Sequence, residues 1–137
     1  MVRKEVIRKR QNRLDEYLSI LERLSRYRFD EFLGNPERYG SAERFLHLAI
    51  EAVLDMGTHI IAELELGMIN AYSDIPRILA EKGYIDDPLK EKWIRMIGLR
   101  NILVHEYLEI DRKIVHDVLQ HDLADLAALR KAFAQFL

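Results

Sequence analysis

The chain has no cysteine, only three prolines and six glycines in 137 residues, and no excess of either charge worth the name. Without a thiol there is no disulfide, no thiolate-held metal and no cysteine nucleophile. Its 21 Lys and Arg against 23 Asp and Glu leave a formal charge of −2, so no global field draws in a polyanion. No apolar run approaches the roughly 18 residues of a membrane span, and Met1-Val-Arg-Lys-Glu lacks the apolar stretch of a signal peptide. These absences predict a soluble, cytoplasmic protein. The glycines are scattered, and none belongs to a phosphate-cradling loop or a dinucleotide fingerprint, which argues against binding of ATP or NAD by the chain itself.

What is there is helix. The length and the 49% hydrophobic content suit one domain over residues 1–137 with a packed core. Val6, Leu14, Tyr17, Leu18, Leu21 and Leu24 keep three- and four-residue spacing, which predicts an amphipathic helix from Val6 to Leu24. After Gly34, Asn35 suits an N-cap and Pro36 a first helical position, so a second helix starts there or at Ser41. Its stripe of Phe45, Leu48, Ala49, Ala52, Val53, Met56, Ile60 and Leu64 is broad enough to be buried on more than one side, the mark of a central helix. Ser73 to Gly83 reads as a short helix with a capping Ser or Asp, a first-turn Pro76 and a closing glycine suited to a left-handed cap. Asp87-Pro88 opens the next helix, with Asp87 as cap and Leu89, Trp93, Met96 and Leu103 on its core face; Arg100 and Tyr107 continue that row. Asp111 caps a last helix carrying Val115, Leu119, Leu126, Leu129, Phe133 and Phe136, interrupted at Asp122. Nothing alternates with period two, so the expected fold is an all-α, single-domain antiparallel bundle of about five helices.

Most polar residues have ordinary explanations. None of His47, His59, His105, His116 and His121 follows a Glu by three positions, which disfavours a carboxylate-bridged metal bundle. His116 and His121, five apart, point to different sides of a helix and read as surface or boundary residues, while His47 and His59 read as packed histidines bonded to neighbours. No metal or cofactor is expected. The pairs Asp86/Asp87 and Glu63/Glu65 read as cap and helix-end residues, and Tyr17, Tyr27, Tyr39, Tyr72 and Tyr84 as boundary packing. Arg3, Lys4, Arg8, Lys9, Arg10 and Arg13 face only Glu5. That cluster is either the solvated face of a first helix or a local RNA contact that salt would weaken.

One segment carries chemistry: Arg100-Asn-Ile-Leu-Val-His105-Glu-Tyr107. Arginine offers a planar fork of donors to phosphate oxygens, and histidine, with an ordinary pKa of about 6.5, exchanges a proton at cellular pH. On an ideal helix Asn101 and His105 stack one turn apart, whereas Arg100 and His105 diverge by about 140°. To meet at one phosphate, the helix must fray near His105, Arg100 must lean around the axis, or a second copy must contribute its own pair across a two-fold axis. The same residues also suit a plain helix C-terminus with cations favouring its dipole.

With its flanking phrases Leu48-Ala-Ile-Glu-Ala-Val-Leu-Asp-Met-Gly-Thr-His-Ile-Ile-Ala-Glu63, Ile78-Leu-Ala-Glu-Lys-Gly83 and Met96-Ile-Gly-Leu99, this Arg-x4-His-x-Tyr segment resembles the HepT-like branch of the HEPN superfamily of helical ribonuclease toxins. The resemblance implies the toxin of a MntA/HepT-type toxin–antitoxin pair, in which Arg100 and His105 from two subunits line a homodimer cleft and cut RNA without a metal. His105 would be the general base on a 2′-hydroxyl and Arg100 would stabilise the transition state. Asn101 would orient the phosphate or the histidine, and the product would carry a 2′,3′-cyclic phosphate. It also implies that Tyr107 accepts AMP from a minimal nucleotidyltransferase antitoxin of MntA type, with which the dimer assembles further. The alternative it leaves open is a non-catalytic helical module that binds such a nucleotidyltransferase.

Overall fold

The longest helix begins where its cap stands. Asn35 Oδ1 accepts the Glu37 N–H at 2.9 Å, and Pro36 occupies the first turn, where its missing N–H costs nothing. In this computed structural model, which describes residues 2–137 apart from the side chain of Tyr107, the chain runs α1 (Lys4–Leu24), α2 (Phe29–Leu33), α3 (Pro36–Glu63), α4 (Asp74–Glu81), α5 (Asp87–His105), α6 (Arg112–His121) and α7 (Leu123–Phe133). Short 3-10 turns follow at Tyr107–Glu109 and Ala134–Phe136, and the described residues contain no strand. The all-α expectation holds, with seven α-helices among the described residues instead of about five. The five-residue α2 buries only Phe32 and is too short to display a period. Asp122 closes α6 and opens α7, dividing what the spacing presented as one helix.

α3 is the axis around which the others pack. Arg3 at the start of α1 donates its N–H to His59 Nε2 near the end of α3, Arg10 pairs with Asp55, and Tyr17 packs on Phe45, so α1 descends antiparallel to α3. On another side Trp93 of α5 lies against Gly57, and Arg100 reaches Glu51, again an antiparallel pairing. Ile7, Leu14 and Leu21 of α1, Leu46, Val53, Met56 and Ile60 of α3, Trp93 of α5 and Phe133 of α7 are fully or almost fully buried and form one core. Removing these side chains from water is the main stabilising contribution, about 1.5–3 kcal/mol for each large apolar group.

Three sequence-based expectations need correction. Counting unbroken apolar runs missed that α3 is, by length and composition, apolar enough to cross a membrane; over half of that stretch is buried inside the bundle, as a core helix requires. Asp86, not Asp87, caps α5: its Oδ1 accepts the Leu89 N–H at 2.9 Å, while Asp87 pairs with Lys90. His116 is buried, with Nε2 2.9 Å from the Tyr27 carbonyl and its ring between Phe29 and Phe32, tying α6 to the α1–α2 connection. His121 is exposed as expected.

Candidate functional site

α5 stays helical through His105, and the Glu106 N–H still bonds to the Ile102 carbonyl at 2.9 Å. The frayed-end route to joining Arg100 and His105 is therefore closed, and their offset of about 140° stands. Arg100 turns towards the core side. Its Nε donates to Glu51 Oε1 on α3 at 2.5 Å, its Nη1 donates to Asn101 Oδ1 at 3.2 Å, and its guanidinium carbon lies 4.7 Å from the centre of the Tyr72 ring. Only 11% of the Arg100 side chain is exposed. Glu51 is shared, since His47 Nε2 lies 3.6 Å from the same Oε1.

Each partner is placed by ordinary helix rules. His47 and Glu51 are four residues apart on α3, so they share a face, next to the row of buried Leu46, Ile50 and Val53. Opposite them, α5 presents Arg100 between buried Leu99 and Leu103. A guanidinium this covered requires a fixed acceptor, and Glu51 supplies it. Fixed at Nε and stacked on one face, the fork retains its Nη2 donors without a hydrogen-bond partner among the described residues. That is a cation held in one orientation with donors to spare.

Asn101 links this cation to the outer surface. It is exposed, it accepts from Arg100, and it precedes the exposed His105 by one turn. Arg100 thus leans around the axis as far as Asn101. His105, the last residue of α5, is exposed, and its side chain has no hydrogen bond or ion pair among the described residues. Tyr107 does not continue the α5 row, because the backbone leaves the helix at Glu106 and Tyr107 opens a 3-10 turn; its side chain lies outside the described residues.

A cleft of about 430 Å³ opens beside this cluster, lined by Ile69, Asn70, Ala71, Tyr72, Ser73, Ile97 and Asn101. Its loop is tied down by Asp74, whose Oδ2 accepts the N–H groups of Asn70 at 2.9 Å and Ala71 at 3.0 Å. The Ala71 and Asn70 N–H bonds hold the Asp74 carboxyl below its ordinary range. Elsewhere on α5, Met96, Leu99 and Ile102 face Ile114 and Val118 across an apolar hollow of about 350 Å³.

Other sequence candidates fall outside the site. Arg3, Arg10 and Arg13 of the N-terminal basic cluster pair with Glu63, Asp55 and Glu16, which fits a solvated helix face. Burial raises the Asp55 carboxyl above its usual range against the pull of Arg10. Among the described residues no three His, Asp or Glu side chains converge as a metal-binding group. Conversely, the sequence gives Glu51 no role and presents Tyr72 only as boundary packing, whereas both hold Arg100. The available signal is a His-x3-Glu pair within the mostly apolar middle of α3.

Residues 14–133 match the protein family described as ribonuclease HepT-like. The mRNA nuclease HepT of Shewanella oneidensis is 39% identical over 80 residues, 58% of this chain and 60% of that protein. The tRNA nuclease HepT of Aphanizomenon flos-aquae is 30% identical over 77% of this chain and 72% of its own length. Among solved structures, a tri-AMPylated Shewanella oneidensis HEPN toxin in complex with its MNT antitoxin superposes with a TM-score of 0.87 at 26% identity, covering 95% of this chain and 97% of that one.

Proposed function

Since this chain belongs to the ribonuclease HepT-like family, we propose that it is the toxin of a toxin–antitoxin pair, an endoribonuclease whose site is built from Arg100, Asn101 and His105. The observation that carries this reading is the oriented Arg100: a largely covered cation, clamped by Glu51 and Tyr72, whose remaining donors suit a phosphate. Relatives named as mRNA and tRNA nucleases support RNA as the substrate class.

In this mechanism His105 removes the proton of a ribose 2′-hydroxyl. The 2′-oxygen attacks the adjacent phosphorus, a new 2′-O–P bond forms, and the 5′-O–P bond breaks. The 5′-oxygen takes a proton from water or from the imidazolium of a second copy, leaving a 2′,3′-cyclic phosphate. Arg100 stabilises the added negative charge on the phosphorane-like transition state, and Asn101 keeps the phosphate between them. The divergence of Arg100 and His105 on an unbroken α5 supports a cleft completed by a second copy across a two-fold axis. The AMPylated toxin–antitoxin neighbour supports a nucleotidyltransferase partner and AMP transfer to the toxin; in this reading Tyr107 is the acceptor.

The test is cleavage of total RNA in the presence of EDTA by the wild type, Arg100→Ala and His105→Ala. Metal-free cleavage that both substitutions abolish, with the fold retained by circular dichroism, is expected. Unchanged cleavage by both folded variants would refute the assignment, and no cleavage by the wild type at any pH would favour the non-catalytic module that binds a nucleotidyltransferase.

A further inference from the structure

The cleft beside Arg100 has a composition that phosphate chemistry alone does not need. A site that only grips phosphates is lined with cations and backbone N–H groups. This one carries a half-exposed tyrosine, two amide side chains, a hydroxyl and small or branched apolar residues, with no charged side chain in its lining. Uncharged, partly apolar walls with a few polar groups suit a neutral, flat, hydrogen-bonding ligand, and about 430 Å³ lies in the range of small-ligand pockets. We propose that this cleft is a nucleobase subsite: Tyr72 stacks on the base of a nucleotide next to the phosphate being cut, and Asn70 and Asn101 bond to its edge. The proposal rests on the ribonuclease reading for its substrate and deepens it.

Three observations carry it. Tyr72 is 45% exposed although the Arg100 guanidinium stacks on it, so the ring retains surface for a second partner. Arginine and base on one aromatic ring would place the phosphate-binding donors and the base one nucleotide's reach apart. Second, the loop bearing Asn70 and Tyr72 is ordered before any ligand arrives, because Asp74 holds the Asn70 and Ala71 N–H groups. Third, Asn101 belongs to both regions: its Oδ1 accepts from Arg100, and its side chain lines the cleft, leaving its amide N–H groups for a base acceptor.

The test separates this from the cleavage reading. 2-Aminopurine is placed in turn at each position of a short single-stranded RNA whose 2′-hydroxyls are replaced by hydrogen, so it cannot be cut, and its fluorescence is followed on titration with the full chain. Stacking predicts quenching at one position, retained by Tyr72→Phe and lost in Tyr72→Ala, with Kd raised roughly 10- to 100-fold by the loss of one stacked base. Asn70→Ala should leave the quenching but reduce the preference among bases at that position. Absence of quenching at every position, or quenching that survives Tyr72→Ala, overturns the subsite. A wild type that quenches but cuts no natural RNA would refute the catalytic reading and keep the subsite; one that cuts but never quenches would do the reverse.

Discussion

Glu51 on α3 holds Arg100 on α5 through the guanidinium Nε, joining residues 49 apart in sequence, and the same carboxylate oxygen also faces His47. A flexible arginine in water samples many orientations; this one is limited to the arc that Glu51, Asn101 and Tyr72 leave. Glu51→Ala should therefore lower RNA cleavage by about 10- to 100-fold, the scale at which a misplacement of roughly 1 Å acts. Glu51→Gln keeps an acceptor at Oε1 and should fall between. The loss belongs in kcat more than in KM, because orientation acts at the transition state. Leaving the covered guanidinium without its acceptor should also cost about 1–3 kcal/mol in denaturant unfolding. A Glu51→Ala protein that cuts at the wild-type rate would show that Arg100 needs no such holder.

The loop over the cleft should be sensitive to acid at one residue. Asp74 has its carboxyl lowered from the ordinary 3.8, first by the Ala71 N–H and then by the Asn70 N–H. A carboxyl depressed in the folded state stabilises the loop fully above its unfolded value, and that contribution is lost as pH falls through the lower folded one. Relative to the intrinsic rate at each pH, protection of the Asn70 and Ala71 amides should accordingly be high above about pH 4 and fall below it, before the core amides respond. Asp74→Asn should show the low protection at every pH. Equal protection in the variant would mean that the loop is held by something else.

Gly57 sets how closely α3, α4 and α5 approach. A β-carbon there would stand 2.5 Å from Ile75 Cγ2 and 3.1 Å from the Trp93 ring, both fully buried. Alanine would gain about 1 kcal/mol of helix propensity, yet overpacking against a branched, enclosed side chain costs about 1–3 kcal/mol, so the net effect should be destabilising. Gly57→Ala is expected to lower the Tm by several degrees and, because α5 would shift against α3, to reduce cleavage as well. Gly40→Ala serves as the control: nothing lies within 4 Å of its added carbon, so it should stabilise or leave the Tm unchanged.

What the sequence revealed, and what it did not, follows from the range of each signal. Asn35-Pro36, Asp111 and Gly83 act on their own backbone neighbourhood, so the helix ends they mark were readable: Asn35 and Asp111 cap as expected, and Gly83 adopts the left-handed φ of +82°. Asp86 was displaced by one residue because two adjacent aspartates offer the same local chemistry, and only the helix phase selects between them. The Arg100–His105 divergence was visible from α5 geometry alone. Glu51 and Tyr72 were not, since their link to Arg100 is made by the packing of three segments, and no local period reports it. His116 was misjudged for the same reason: its burial depends on Phe29 and Phe32, in a helix too short to announce itself.

Control of the proposed toxin activity should be legible at Tyr107. The chain leaves α5 at Glu106, so Tyr107 follows His105 by two residues on a separate turn, where its backbone is no longer held by the helix ladder. In the proposed modification the phenol oxygen attacks the α-phosphorus of ATP, an O–P bond forms, and pyrophosphate leaves. The new phosphodiester brings a negative charge and an adenosine to the edge of the site where substrate phosphate must dock, so it should block RNA by repulsion and by bulk. Incubating the chain with its cognate nucleotidyltransferase and ATP should add the mass of one AMP to the peptide containing Tyr107 and abolish cleavage. Tyr107→Phe should take up no AMP there and keep cutting in the presence of the partner. If the Phe protein is silenced as completely as the wild type, the partner inhibits by binding alone, and Tyr107 is not the control point.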